Sequence, residues 1–313
     1  MCLGWLAHLF LLLFFMSFVI FLCMLNFFTS NVLVWWSVFL LMTVVFVCLS
    51  KDLVSYSGVL NYFVIQESLG LFFLVFNVFL LQFLIVMFKV GVAPFHFWVF
   101  SVTSSLFDWL LMWFLTFQKL PFFPVLVQLF DFGLFFIFLF GIFICYMQFF
   151  VLKGYKNMMI ISSTESFNWV ILSCFLSVIN VVYLFFYYVI LMVFLMPNFN
   201  VKDFNFVNWE TLLVFLNVPF SVSFFIKFFV LNEVFKLDGL FLLFLLFLMF
   251  LSMLCFSLWL INMSVKSMKM LGDNLKILFF LVFPLMVVSV VCYFSKSFIM
   301  LLWWGSVLSM MGR

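Results

Sequence analysis

The sequence predicts an all-α, polytopic membrane protein, a single transmembrane domain over residues 1–313 built from about eleven helices. Three observations carry this reading. Hydrophobic residues make up 70% of the chain and charged residues 7%, and the mean hydropathy is +1.45, far outside the range of a soluble globular domain. The apolar runs are about 20 residues long, the length that crosses a hydrocarbon core. Period-two alternation is absent, which leaves helices, rather than a closed barrel, to satisfy the backbone in lipid.

Polar punctuation divides the chain into spans at 4–27, 32–50, 59–78, 79–98, 105–120, 125–149, 157–178, 180–197, 211–235, 239–262 and 277–295. Ser30-Asn31 closes the first and Lys51-Asp52 the second, while the third and fourth are nearly fused. Ser101 to Ser105, Pro121 with Pro124, and Lys153 to Asn157 separate the next three. Asn198 to Glu210, Lys236 to Gly239 and Lys266 to Lys276 separate the last spans, and the tail after Lys296, with Trp303 and Trp304, reads as interfacial. With eleven spans, Lys51, Lys153, Lys156, Lys202, Lys266, Lys269 and Lys276 fall on the N-terminal side, against Lys236, Lys296 and Arg313 opposite. The lysine bias places the N-terminus on the positive side, which in a mitochondrion is the matrix, and the C-terminus in the intermembrane space.

Composition excludes several classes. A net charge of +3 with a single arginine, Arg313, offers no basic patch for nucleic acid. The seven cysteines are scattered with no CxxC and no metal-ligand spacing, so they read as small buried hydrophobes and no metal centre is expected. The N-terminal MCLGWLAHLF is neither an Arg/Ser-rich transit peptide nor a cleavable signal. Phe occurs 58 times and Arg once, a bias of a T-rich genome. Together these point to an organelle-encoded inner-membrane protein, with a bacterial plasma-membrane protein as the alternative.

Chemistry therefore rests on the few ionisable groups inside spans: Glu67, Lys89, Asp108, Lys119, Asp131, Glu165, Lys227 and Glu233. A charge at membrane depth costs roughly 2.5–3.5 kcal/mol on insertion scales, so it is usually paired and functional. Asp108, Asp131 and Glu233 lie near span ends, where solvation at the headgroups is an equal reading. Glu67, Lys89, Lys119 and Lys227 are deeper or beside backbone breaks: Pro94 follows Lys89, Pro121 follows Lys119 and Pro219 precedes Lys227. Burial disfavours a lysine's charged form and a nearby carboxylate restores it, so a carboxylate that approaches and leaves would switch a lysine between loading and releasing a proton. Glu67 is the only carboxylate in the spans before Lys89 and is read as its acidic partner. Asp108 and Lys119 are eleven residues apart, which on an unbroken helix returns to one face within ~20° at a rise of about 16 Å. His96 is either a proton relay or a hydrogen-bonded histidine at a helix break, and His8, without polar neighbours, reads as inert.

The run KVGVAPFHFW at 89–98 resembles the signature of the antiporter-like membrane subunits of respiratory complex I (NADH:ubiquinone oxidoreductase), in particular the subunit-two family of mitochondria. The resemblance continues through NYFVIQ at 61–66, TFQKLPF at 116–122, KNMMIISSTESFNW at 156–169 and VPFSVSFFIKFFVLNEVF at 218–235. It implies an antiporter-like bundle with broken helices, in the eleven-helix form found in animals. It also implies that Lys89, Lys119 and Lys227 translocate protons, coupled to quinone reduction elsewhere in the complex. No cofactor is then bound by this chain: NADH, FMN, iron–sulfur clusters and ubiquinone belong to other subunits. The implied partners are other membrane-arm subunits and lipids, with protons as the transported species. The sequence departs from the family at four places, one of them the glycines usual before the third lysine, where Leu216, Asn217 and Ser223 stand. Phe100 and Ser101 follow FWV where a proline and an acid are usual, Ser166 replaces a histidine beside Glu165, and WWSVFLL at 35–41 lacks the glutamate the family carries near there. Two other functions stay open at this point: a stand-alone cation/proton antiporter, and a structural membrane-arm subunit whose proton path has decayed.

Overall fold

The computed structural model of the chain describes residues 2–50, 56–106, 108–152, 155–175, 182, 184–186, 188, 189, 227, 230, 231 and 239–267. Among the described residues the structure is helical, without strands. Helix α1 (Cys2–Phe28) is followed by α2 (Val32–Ser50), with Asn31 between them accepting a hydrogen bond from the Leu33 amide at 2.9 Å through its side chain. That is the N-cap arrangement, in which a short side-chain oxygen satisfies an otherwise orphaned first-turn amide. The Trp35 indole donates back to the Thr29 carbonyl at 2.9 Å and fixes the corner.

Helix α3 (Tyr56–Val75) packs against α2 and against α4 (Phe79–Val90). α4 stops at Gly91, whose φ of +72° is left-handed and suits glycine. The Gly91 amide donates to Phe88 O at 3.1 Å and the Val92 amide to Met87 O at 3.0 Å, the paired bonds of a Schellman stop. The chain then crosses a non-helical stretch containing a cis Ala93-Pro94 bond before α5 (Phe97–Thr103) resumes. Lys156, from the chain start of α9, donates to Ser104 O at 3.0 Å and to Leu106 O, satisfying carbonyls just past the end of α5.

The next span differs from the sequence-based division. The sequence places spans at 105–120 and 125–149, separated by Pro121 and Pro124. In the structure α6 (Asp108–Leu115), a 3₁₀ turn (Phe117–Lys119) and α7 (Phe122–Gln128) follow one another as a single broken span, and Leu110–Gln128 is apolar and long enough to cross a membrane. α8 (Phe135–Val151) begins only after a second 3₁₀ turn (Phe132–Leu134). The physical reason is positional. Pro121 stands at the N-cap and Pro124 in the first turn of α7, where a missing N–H has no helical partner to lose. The prolines restart a helix within the span rather than ending it.

α9 (Tyr155–Leu172) pairs with α8 and runs into a 3₁₀ turn (Ser173–Phe175); α10 (Gly239–Ser267) is the next helix described and also lies against α8. Gly141 on α8 is required by this packing, because a Cβ there would overlap the Ala93 carbonyl of the α4–α5 break. Three helical runs, Val32–Ser50, Tyr56–Val75 and Leu110–Gln128, have full membrane-crossing length among the described residues. The spans expected at 211–235 and 277–295, apart from Lys227, Val230 and Leu231, and most of 180–197, lie outside the described residues. Phenylalanine and leucine cover the outer face of α3, with Leu71 61% and Val75 72% exposed, while the polar side chains Gln66, Lys89, Lys119, Glu165 and Lys227 are turned inward.

Candidate proton-handling site

All three lysines singled out in the sequence are buried, with exposures of 3% for Lys89, 5% for Lys119 and 1% for Lys227. Each is held by polar groups of other segments of the bundle, and each in a different way.

Lys89 lies in the last turn of α4, where the backbone is about to leave the helix. Its ammonium donates to the main-chain carbonyl of Gln66 on α3 at 2.8 Å. In return the Gln66 side-chain amide donates to the Lys89 carbonyl at 2.9 Å, satisfying an acceptor that the helix end leaves open. The Trp98 indole takes the neighbouring Phe88 carbonyl at 2.9 Å. Phe39 of α2 faces the ammonium at 5.1 Å from its ring centroid, a cation–π distance. Gly70 borders this group: a Cβ there would stand in ordinary contact, 3.5 Å from Lys89 Nζ and 3.6 Å from the Trp36 indole nitrogen. Trp36 and Phe39 belong to WWSVFLL, so aromatic groups stand where the resemblance implies a glutamate.

Glu67 does not touch Lys89. It is half-buried, and its Oε1 accepts from the Thr43 hydroxyl of α2 at 2.9 Å.

Lys119 ends the 3₁₀ turn that interrupts the α6–α7 span. Its ammonium donates to Ser163 Oγ of α9 at 3.3 Å and to the Tyr188 hydroxyl at 3.4 Å, and Ser163 and Tyr188 are themselves bonded at 2.7 Å. The rings of Phe167 and Tyr188 lie 4.8 and 5.6 Å from the ammonium. The carbonyls freed by the same break are taken by α1, with Cys23 Sγ donating to Leu120 O at 3.3 Å and Asn26 Nδ2 to Pro121 O at 2.7 Å. This is how irregular backbone is tolerated at membrane depth: protein replaces the lost helical partners. The facing of Asp108 and Lys119 expected for a continuous helix does not apply, since α6 ends at Leu115 and the turn resets the rotation; the Asp108 side chain lies outside the described residues.

Lys227 forms an ion pair with Glu165 of α9, both side chains 1% exposed. The sequence reading did not place Glu165 among the site residues. The Tyr146 hydroxyl of α8 donates to the same Glu165 oxygen at 2.5 Å, the Trp169 indole donates to Tyr146 at 3.4 Å, and Lys227 also donates to Ser252 of α10 at 3.4 Å. The signal that marks Glu165 in the sequence is its depth in a span, with Ser162, Ser163 and Thr164 before it; no local spacing ties it to Lys227, which is 62 residues away.

His96 is fully buried at the α4–α5 break and shares a 2.6 Å hydrogen bond with Gln148 of α8. Asp131 is exposed in the turn after α7, as a span-end carboxylate would be. Glu233 and the His8 side chain lie outside the described residues. No grouping of three His, Cys, Asp or Glu side chains suited to a metal occurs among the described residues.

Apolar helices, broken beside Lys89 and Lys119, with each of the three buried lysines held by another segment, define a helical membrane protein with ionisable groups in its interior. Comparison with known proteins makes this specific. The chain is 85% identical over 286 residues to NADH-ubiquinone oxidoreductase chain 2 of Ascaris suum, covering 91% of this chain and 95% of that one. It is 57% identical over 275 residues to the protein of the same name from Caenorhabditis elegans, covering 88% of this chain and 98% of the relative. A chain in a structure described as respiratory complex I from Thermus thermophilus with bound aureothin matches with a TM-score of 0.64 at 15% identity, over 80% of this chain and 69% of that one. No family model matches. The chain belongs to the NADH-ubiquinone oxidoreductase chain 2 family, the membrane subunits of respiratory complex I.

Proposed function

We propose that the chain is a proton-translocating subunit of the complex I membrane arm, carrying protons through Lys89, Lys119 and Lys227 while NADH oxidation and quinone reduction proceed in other subunits. The observation that carries this reading is the set of three buried lysines, Lys89 and Lys119 beside interrupted helices, each linked to α9 or α3 by hydroxyls, carbonyls or a carboxylate. A buried lysine is costly, and three in one apolar bundle are explained by work done with their protons. His96 with Gln148 lies at the α4–α5 break that follows Lys89, where a relay would need an exchangeable group. Glu67 modulates Lys89 from a distance.

The chain has no redox centre of its own in this reading, and NADH, FMN, iron–sulfur clusters and ubiquinone are handled by its partners. About eleven spans cross the mitochondrial inner membrane, with the N-terminus in the matrix and the C-terminus in the intermembrane space. The partners are neighbouring membrane-arm subunits and lipid. A stand-alone antiporter is disfavoured by the near full-length likeness to complex I chains.

The test is Lys119→Met in the assembled complex, reconstituted into vesicles. Protons pumped per NADH oxidised should fall while the complex still assembles. An unchanged ratio would remove Lys119 from the path and leave a structural subunit as the better reading.

A further inference from the structure

We propose that Glu165 is the proton-accepting partner of Lys227, so that the switching acid of this subunit sits at its last buried lysine and not at Lys89. This rests on the reading that the buried lysines carry protons, and it names the group that makes one of them switch.

Three observations converge on it. Glu165 is the carboxylate in direct contact with a buried lysine among the described residues, and both members of the pair are 1% exposed. The carboxylate is held from a third direction by Tyr146, whose hydroxyl donates to the same oxygen at 2.5 Å and is itself contacted by Trp169. The pair is also next to the Lys119 site. Glu165 lies two residues along α9 from Ser163, which binds Lys119 at 3.3 Å, and the intervening Thr164 is hydrogen-bonded to Cys145 of α8 at 3.8 Å.

Proton accounting follows from this geometry. At rest Lys227 is an ammonium and Glu165 a carboxylate. A proton arriving at Glu165 makes it a neutral acid and removes the charge that holds the ammonium. A buried, unpaired ammonium is costly, so Lys227 releases one proton onward and becomes an amine. The acid then passes its proton to that amine, which restores the ion pair. One proton enters, one leaves, and no other reactant is consumed. Tyr146 is a positioning residue that keeps the accepting oxygen pointed at Lys227.

A purely structural ion pair is the competing explanation, and the two differ in a double variant. Replacing Glu165 by Gln and Lys227 by Met together removes both charges, which leaves neither one buried alone. In the intact complex in vesicles, the E165Q/K227M subunit should assemble, with fewer protons pumped per NADH oxidised and proton transfer through this site slowed on the order of 10²-fold. Full pumping by the assembled double variant would overturn the proposal. Where the double variant does not assemble, Tyr146→Phe decides, because it removes one hydroxyl and no charge: reduced pumping at normal assembly supports the proposal, and unchanged pumping overturns it. Pumping lost in Lys119→Met but intact in E165Q/K227M refutes the role of Glu165, takes Lys227 out of the path, and keeps proton translocation through Lys119. Pumping intact in both refutes the two together.

Discussion

The surroundings of Lys89 and Lys227 solve the same problem by opposite means. Both are ammoniums with exposure of 3% or less inside an apolar bundle. Lys89 is stabilised without a carboxylate in contact, by the Gln66 carbonyl, the Phe39 ring and a reciprocal Gln66–Lys89 clamp that ties the ammonium to the end of its own helix. Lys227 is stabilised by a full opposite charge, buried as deeply as itself. A carbonyl and an aromatic face bind a lysine without a counter-charge, so its protonation state is tied to no neighbouring carboxylate. A carboxylate makes the lysine's state depend on its own. The difference therefore separates a site built for position from a site built for switching.

The sharpest way to break this comparison is to remove each lysine in turn. Lys227→Met leaves the Glu165 carboxylate buried and unpaired, and breaking such a pair costs roughly 3–5 kcal/mol. Lys89→Met removes a charge-assisted hydrogen bond but leaves no charge behind, a loss of about 1.5–3 kcal/mol. On thermal denaturation of the purified complex, or by its yield on native gels, the Lys227 variant should be the less stable. Equal losses would mean that Glu165 is already protonated in the resting state and that the two sites are alike.

A smaller effect is expected at the clamp. Gln66→Leu removes the donor to the Lys89 carbonyl but keeps the main-chain carbonyl that binds the ammonium. One buried acceptor is left open, a cost of ~1–3 kcal/mol, and the α4 end should loosen. Hydrogen exchange of the Gly91 and Val92 amides, whose bonds form that stop, reads this directly. Unchanged exchange would show that the clamp does not hold the break.

How much of these sites the sequence discloses depends on whether the chemistry is local. The break after Lys89 is legible because lysine, glycine and proline fall within six residues, Lys89, Gly91 and Pro94, and each acts on its own segment of backbone. The all-helical class follows from composition, the length of the apolar runs and the absence of period-two alternation. The prolines at 121 and 124 mislead, since a proline ends a helix or begins one according to the turn it occupies, and only packing decides which. The shared face expected for Asp108 and Lys119 does not carry over, because a helical wheel assumes a continuous helix and α6 ends at Leu115. Glu165 and Lys227 are invisible as a pair, 62 residues apart on segments joined by nothing periodic. Glu67 was the natural sequence candidate because it is the one acid on the preceding span, yet a residue's neighbour in topology is not its neighbour in space: its side chain turns to Thr43 of α2.

That last placement gives the smallest predicted effect and the one that bears most on where the switch lies. Glu67→Gln keeps an oxygen to accept from Thr43, so stability should move by no more than about 0.5 kcal/mol. The carboxylate charge is lost, and if that charge assists proton loading at Lys89, pumping falls while assembly survives. A charge acting through space is weaker than one in contact, so the fall should be smaller than for Glu165→Gln measured in the same vesicles. A loss of pumping from Glu67→Gln equal to or greater than that from Glu165→Gln would reverse the comparison. It would mean that Glu67 reaches Lys89 in another state of the subunit, and that the switching acid belongs to the first lysine after all.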